Sequence, residues 1–361
     1  MSEIQEMPVD TSTRTFPTVG YAAYAASENL APFKFDRREP LAHDVLVEIL
    51  YCGVCHSDLH CVRNDWGISM FPLVPGHEIV GRVTRIGDHV SKFKIGDTVG
   101  IGVFVDSCRE CESCKEDLEQ YCEKGLVLTY SSFEKDGKTV TYGGYSKQIV
   151  CDEKYVLRIS DGLPLEKVAP LLCAGITTWS PLRHWKVKTG DKVAVIGLGG
   201  LGHMAVKFAV SFGADVTVLS TSPSKEKDAL RLGAHHFALT TDEEQAKSLT
   251  NQFNFILDTV AGTHDYNFYL NMLRRDGTMV GVGLPNEPAH VPAFTLALQR
   301  RNLAGSIIGG IAETQEMLDY CAAHQITADV EVININDINK AYERMEKSDV
   351  KYRFVIDMAS L

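Results

Sequence analysis

The sequence predicts an α/β protein in two parts, a β-rich portion of irregular form and a domain built on a doubly wound parallel sheet. Three observations predict it. Short β-branched runs, closely punctuated by Gly, Pro and Asp, fill the first third of the chain. From about Leu171 onward strand and helix patterns alternate, which calls for a parallel sheet with crossover helices. The length, 361 residues, suits two domains of ordinary size.

The segment up to Pro17 reads as a polar tail that joins the first strand late. Strand-like runs follow at Val45 to Leu50, Ile79 to Val83 and Asp97 to Gly100, and the cysteine-rich segment 108–122 interrupts them as a polar lobe. Lys192 to Ile196 has the apolar, β-branched texture of a buried parallel strand. A helix pattern from Leu201 to Phe212 closes at Gly213. Next come a strand at Val216 to Leu219, a helix at Ser224 to Leu232 stopped by Gly233, and strands at His236 to Ala238, Phe253 to Asp258 and Thr278 to Gly281. From about Gly310 the pattern gives one or two helices and the strand Arg353 to Ile356. The chemistry of that strand matches the first third, so the chain is expected to return there.

Composition narrows the function. Hydrophobic residues make up 45% and charged residues 23%, the balance of a globular protein. No run approaches ~18 uninterrupted apolar residues, so no membrane span is expected. Lys and Arg number 36 against 47 Asp and Glu, for a net charge of −11, which argues against nucleic acid or an anionic membrane as partner. The start, Met1-Ser2-Glu3-Ile4-Gln5-Glu6, has neither the basic nor the apolar region of an export signal, so a cytoplasmic location is expected. In a reducing compartment the ten cysteines read as metal ligands or buried thiols rather than as disulfides.

Gly197-Leu198-Gly199-Gly200-Leu201-Gly202 follows a strand and opens a helix, the context in which G-x-G-x-x-G binds a dinucleotide. Gly197 would allow the tight turn, Gly199 the approach of a pyrophosphate, and Gly202 close packing of helix on strand. A glycine-rich turn without a ligand is the other reading. An NAD site expects an acidic residue about 20 residues further on, bonded to the ribose 2′-hydroxyl. Here the second strand runs into Ser220-Thr221-Ser222-Pro223-Ser224-Lys225, with no carboxylate. Hydroxyls and a Lys suit a 2′-phosphate, so NADP(H) is expected over NAD(H). The serines also suit capping of the next helix, and both roles are compatible.

Cys108, Cys111, Cys114 and Cys122 fall within 15 residues, a spacing that suits a closed, structural zinc site. Four free thiols or an iron–sulfur site are the alternatives. A dispersed second set is Cys55, His77-Glu78 and Cys173. Two thiolates and one imidazole would leave a fourth zinc position open, as catalysis requires. Taken singly, Cys173 also reads as a small buried hydrophobe and His77 as a turn histidine, and spacing does not decide between these.

Together these motifs resemble the zinc-containing medium-chain alcohol dehydrogenases, nearest the cinnamyl alcohol dehydrogenase-like branch and its bacterial NADP-dependent aldehyde reductases. The resemblance runs from about Tyr21 to the C-terminus. It is carried by Cys55-His56-Ser57-Asp58-Leu59-His60, Pro75-Gly76-His77-Glu78, the four-cysteine lobe, Leu171 to Thr178, and Gly197 to Gly202 followed by His203-Met204. It implies a GroES-like catalytic domain over 1–173, a Rossmann cofactor domain over 174–309, and a return to the catalytic domain over 310–361. It implies two zinc ions per chain, the catalytic one on Cys55, His77 and Cys173. Glu78 would stand beside that ion with a transient coordinating role, and Asp58 would orient His77 by accepting its distal N–H. Ser57 and His60 match the proton relay. His56 falls near the pyrophosphate; Thr177, Thr259, Gly283, Ser306, Ile307 and Ile308 fall along the nicotinamide half.

The activity so implied is reversible reduction of aldehydes to primary alcohols with NADPH, in a homodimer joined through the cofactor domain's sheet. Trp66, Leu126, Leu128, Ile307 and Ile308 are candidates for an apolar pocket wall, which would favour aromatic or medium-length aliphatic aldehydes; each reads equally well as core packing. A zinc-free quinone or enone reductase would need neither cysteine set. A non-enzymatic binding protein would need no relay pair.

Overall fold

The computed structural model describes residues 14–285 and 287–361. The chain starts with an antiparallel hairpin of β1 (Thr15–Ala22) and β2 (Ala31–Arg38). The polar tail therefore ends sooner than expected. Pro17 already lies in β1 opposite Asp36, in a two-stranded sheet where the missing N–H is tolerated at an edge. The part of the tail before Arg14 lies outside the described residues.

β3 (Asp44–Gly53) leads into α1 (His56–Arg63), and β4 (Ile79–Ile86) and β5 (Thr98–Ile101) follow. β6 (Phe104–Asp106) and β7 (Val127–Leu128) flank the cysteine lobe, which contains the single turn α2 (Glu112–Lys115). β8 (Gln148–Asp152), β9 (Leu157–Arg158) and α3 (Leu165–Val168) complete this part, and α4 (Ala174–His184) leads out of it. The parallel domain runs β10 (Lys192–Ile196), α5 (Gly202–Ser211), β11 (Asp215–Ser220), α6 (Glu226–Arg231), β12 (His236–Leu239), α7 (Glu243–Ser248), β13 (Phe253–Asp258), α8 (Tyr266–Leu270), β14 (Leu273–Gly281), α9 (Ala293–Ala297) and β15 (Asn302–Gly305). The chain ends with α10 (Ile311–His324), β16 (Val330–Asn334), α11 (Ile338–Glu346) and β17 (Arg353–Asp357).

The second sheet is six-stranded and parallel, in the order β12-β11-β10-β13-β14-β15. Val193, Ala194 and Val195 are fully buried, as strands covered by helices on both faces must be. Strand order reverses between β10 and β13, so a crevice opens at the carboxyl ends of these strands. The first sheet runs β16-β17-β3-β4-β5-β9, with β8 also on β3. β17 pairs with β3, Val355 opposite Gly53, so the last strand of the chain lies in the sheet of its first third. No helix among the described residues is long and apolar enough to cross a membrane.

The expected helix from Ser224 is interrupted. Pro223 to Lys225 form a 3₁₀ turn, and the α-helix starts at Glu226. Pro223 has no N–H to give and fixes the entry turn. Gly213 and Gly233, both at positive φ, end the two helices before them as expected.

Candidate active site

The turn from β3 into α1 places Cys55 at the helix N-cap; His77 and Glu78 stand just before β4, and Cys173 just before α4. The fold brings these three stretches together. Cys55 Sγ lies 3.9 Å from Cys173 Sγ, and one ligand atom each from Cys55, His77, Glu78 and Cys173 lies within 4.8 Å of the others. All four residues are buried.

The donor set fits a metal ion. His77 Nδ1 lies 3.2 Å from Asp58 Oδ1, so the Nδ1–H is donated and the Nε2 lone pair is left over. His77 Nε2 is buried without a hydrogen-bond partner, and so is Glu78 Oε2. Unpartnered buried polar atoms are costly, and an imidazole lone pair beside two thiols is what zinc takes. Asp58 is anchored in turn: it accepts the backbone N–H of Cys55 at 2.8 Å and of Gly76 at 3.0 Å, and the Tyr145 hydroxyl at 3.3 Å. The neighbouring Cys173 thiol, with help from Arg353 and His77, holds the Cys55 thiol well below its ordinary pKa despite burial.

The lobe holds the second set. The sulfurs of Cys108, Cys111, Cys114 and Cys122 lie within 4.8 Å of one another. Zinc–sulfur bonds of about 2.3 Å give a tetrahedron with edges of about 3.8 Å; Cys108 Sγ and Cys114 Sγ are 3.8 Å apart. The backbone N–H groups of Glu110 and Cys111 point at Cys108 Sγ, at 3.5 and 3.3 Å, and lower its pKa to about 6. Both donor sets are therefore suited to zinc, one closed by four cysteines and one with three Cys and His donors beside a carboxylate.

Around the dispersed set stand the residues expected to move protons. Ser57 Oγ lies 3.6 Å from Cys55 Sγ. His60 Nδ1 lies 2.7 Å from Asp65 Oδ2, and the His60 ring packs 5.1 Å from Trp66. Leu126 is partly buried against the main core, and Leu128, also partly buried, lies opposite Phe104 in the β6-β7 pair. His56 opens α1; the surrounding protein, and the Arg353 charge nearby, hold its pKa down.

The glycine turn lies at the end of β10. Gly197 has φ +86°, and a Cβ on Gly202 would sit 2.2 Å from the Gly197 carbonyl oxygen, so only glycine allows this approach of helix to strand. Gly199 has open space where a Cβ would point. The side chain of Ser220, at the end of β11, accepts the Ser222 N–H at 3.1 Å, and the Ser222 and Ser224 hydroxyls are 2.9 Å apart; Thr221 is exposed. Lys225 Nζ lies 5.8 Å from the centre of the Tyr352 ring. Thr259 Oγ1 donates to Ile196 O at 2.7 Å, and Gly283 and Ser306 are anchored through their N–H groups to Asp258 O and Gly281 O. Thr177 is buried in α4. Ile307 is half exposed, whereas Ile308 is buried at φ +36°, a strained position for a β-branched residue.

Two residues escaped the sequence reading. Arg353, at the start of β17, is ion-paired with Glu78, and its side chain also fills the space a Cβ on Gly200 would need. The signal was an arginine placed directly before the apolar run Phe354 to Ile356. Asp65 is the partner of His60; a carboxylate five residues beyond a histidine expected to relay protons was the available hint.

Comparison with known proteins agrees with this geometry. Residues 41–161 match the alcohol dehydrogenase GroES-like domain, and residues 200–323 match the zinc-binding dehydrogenase domain. The chain belongs to the zinc-binding alcohol dehydrogenase family, for which two thiolates and one imidazole with an open position are the familiar zinc ligands. Its relatives include NADP-dependent alcohol dehydrogenase C 1 of Mycolicibacterium smegmatis, 57% identical over 342 residues, covering 94% of this chain and 98% of the relative. The 8-hydroxygeraniol dehydrogenase of Catharanthus roseus is 52% identical, covering 94% and 95%. Among solved structures, a cinnamyl alcohol dehydrogenase of Sorghum bicolor superposes with a TM-score of 0.93 at 46% identity, covering 95% of this chain and 98% of that one. The cinnamyl alcohol dehydrogenase of Helicobacter pylori, complexed with NADP(H), gives 0.90 at 43% identity, covering 96% and 99%.

Proposed function

We infer that this protein is an NADP-dependent zinc alcohol dehydrogenase that reduces aldehydes to primary alcohols and runs in reverse. The observation that carries this reading is the unpartnered, buried Nε2 of His77 facing a pair of thiols 3.9 Å apart. Bound zinc supplies a Lewis acid for the substrate oxygen, and bound NADPH supplies the hydride.

The chain's own residues do the rest. Cys55, His77 and Cys173 hold the metal, with Asp58 fixing the tautomer of His77. Ser57, beside the Cys55 sulfur, is the hydroxyl that gives a proton to the nascent alcohol and takes it back in oxidation. His60 restores that proton; Asp65 keeps its Nδ1 as a donor and leaves Nε2 to exchange. Gly197 to Gly202 receive the pyrophosphate with His56, and Ser220, Thr221, Ser222 and Lys225 receive the 2′-phosphate. Thr177, Thr259, Gly283, Ser306, Ile307 and Ile308 line the nicotinamide half. The half-exposed Ile307 and the Trp66 ring beside His60 favour an aromatic or medium-length aliphatic aldehyde.

The functional division of the chain follows the two sheets: 1–173 and 310–361 carry the catalytic zinc domain, and 174–309 the cofactor domain. We place a homodimer interface on the free edge of β15. Just before it, Phe294 in α9 and Leu298 at the end of that helix are 77% and 74% exposed, apolar surface that a second copy would cover favourably. A cytoplasmic setting suits its unpaired cysteines. A panel of aldehydes and alcohols, followed at the NADPH absorbance band with NADPH and NADH side by side, tests the reading. Turnover of aromatic aldehydes with NADPH is expected; none with either cofactor would refute it.

A further inference from the structure

The turn that leaves β13 crosses the cofactor edge of the parallel sheet, and a histidine braces it. Asp258, the last residue of β13, is fully buried. Its Oδ1 accepts the Val260 N–H at 3.1 Å, and its Oδ2 lies 2.9 Å from His264 Nε2. The other nitrogen of that ring, Nδ1, lies 2.8 Å from the carbonyl oxygen of Gly262. A carbonyl has no proton to give, and neither has a carboxylate. Both contacts are hydrogen bonds only when both ring nitrogens carry hydrogen. Imidazole is the stronger base of the pair in the ordinary order of acidities, so the shared proton belongs on His264.

The surroundings favour that cation. Tyr266 stacks on the ring at 4.8 Å and 14°, and Tyr269 meets it edge-on at 5.6 Å. Asp265, the next residue, caps α8 and adds a second negative charge. Asp258, Asp265, Tyr266 and Tyr269 are the titratable groups that face the ring. The hydrogen bond to Asp258 holds the His264 pKa above its ordinary value.

The braced turn touches the rest of the crevice. Thr259 bonds to Ile196 O through both Oγ1 and N–H. Val260 closes on two glycines: a Cβ on Gly197 would meet its Cγ2 at 2.9 Å, and one on Gly283 would meet its carbonyl oxygen at 2.2 Å. Moving Val260 would therefore disturb both.

We propose that His264 is a positioning residue for the nicotinamide half of the cofactor. Clamped as an imidazolium between Asp258 and the Gly262 carbonyl, it fixes the Thr259-Val260 turn between Gly197 and Gly283, and it loosens its hold when the ring gives up a proton. The proposal rests on the reading above that Thr259 and Gly283 line the nicotinamide half. Its sign follows from the bonding. The hold is complete below the ordinary histidine pKa and is lost as pH rises through the raised one.

The test uses the zinc-loaded full chain and two ligands, NADPH and the same dinucleotide lacking its nicotinamide, 2′-phospho-ADP-ribose. Equilibrium titrations run from about pH 6.5, near the ordinary histidine value, to about pH 9.5. NADPH binding to the wild type is expected to weaken on the alkaline side by about tenfold, the worth of one charged hydrogen bond, with the truncated ligand little changed. His264→Gln is expected to bind NADPH about as weakly at every pH as the wild type does at the alkaline end. A flat wild-type NADPH profile overturns the proposal and needs no variant, and so does a His264→Gln protein with the wild-type affinity and profile. Equal alkaline losses for both ligands overturn it differently: the brace is real, but the reading of Thr259 and Gly283 as nicotinamide neighbours has failed.

Discussion

Arg353 and Glu78 form a buried ion pair across the catalytic sheet, the arginine opening β17 and the glutamate preceding β4. Arg353 is 5% exposed and Glu78 not at all. Burial pushes the Glu78 carboxyl up, and the Arg353 charge in contact with it opposes that rise and favours the carboxylate. Because Arg353 also abuts Gly200, one guanidinium ties the metal cluster to the dinucleotide turn. Removing one partner strands the other charge. Arg353→Met is expected to cost about 3–5 kcal/mol of stability by urea unfolding. Adding Glu78→Gln to that variant should restore part of the loss; no recovery would mean that the pair is not what the arginine serves.

The two metal sites should separate on mutation. Cys114→Ser is expected to lose one zinc, keep part of its turnover and melt earlier, since that site is closed by protein ligands and serves folding. The check is zinc content beside a thermal scan. An unchanged melting temperature after loss of one zinc would deny the lobe its structural role.

Cofactor preference turns on the end of β11. Ser220→Asp puts a carboxylate where a 2′-phosphate is read to bind. It should lower kcat/KM with NADPH relative to NADH by about a hundredfold, since like charges in a binding site cost several kcal/mol. Steady-state kinetics with both cofactors decide it, and an unchanged ratio would exclude Ser220 from the choice.

Asp65→Asn should slow proton delivery without weakening cofactor binding. A loss in kcat of about ten- to a hundredfold is expected, within the range for a positioned acid–base group, with KM for NADPH unmoved. A wild-type kcat would remove His60-Asp65 from the relay.

His203 gives the fold an acid sensitivity. It is fully buried between Gly199 O, 3.2 Å from Nδ1, and the Asp329 N–H, 3.3 Å from Nε2. Nε2 accepts, so a second proton has no place there, and burial lowers the pKa to about 3. The unfolded chain binds that proton below about pH 6.5 and the folded chain does not, so stability is present above this value and lost as pH falls. From about pH 6.5 to 5 the loss is ~2 kcal/mol. Urea midpoints should fall over that range, and His203→Gln should flatten the slope; an equal slope in the variant would assign the sensitivity elsewhere.

Much of this was legible from residue order. The strand of Lys192 to Ile196, the glycine turn and the stop at Gly213 depend on local sequence, and each stands where its own chemistry puts it. The four-cysteine lobe was equally plain, because its ligands share 15 residues. The catalytic set was different. Cys55, His77 and Cys173 were joined by family resemblance, since no spacing rule links ligands scattered from position 55 to position 173. Arg353 was missed because its role exists only through the pairing of β17 with β3. Pro17 was misjudged because a proline argues against a strand until the strand proves to be an edge.

The most direct test measures zinc content and NADPH oxidation together, with an aromatic aldehyde as substrate, in the wild type and in Cys173→Ser. Two zinc per wild-type chain, about one in the variant, and turnover only in the wild type are the expected results. A Cys173→Ser protein that keeps both its metal and its turnover would contradict the assignment of Cys55, His77 and Cys173 as one catalytic centre.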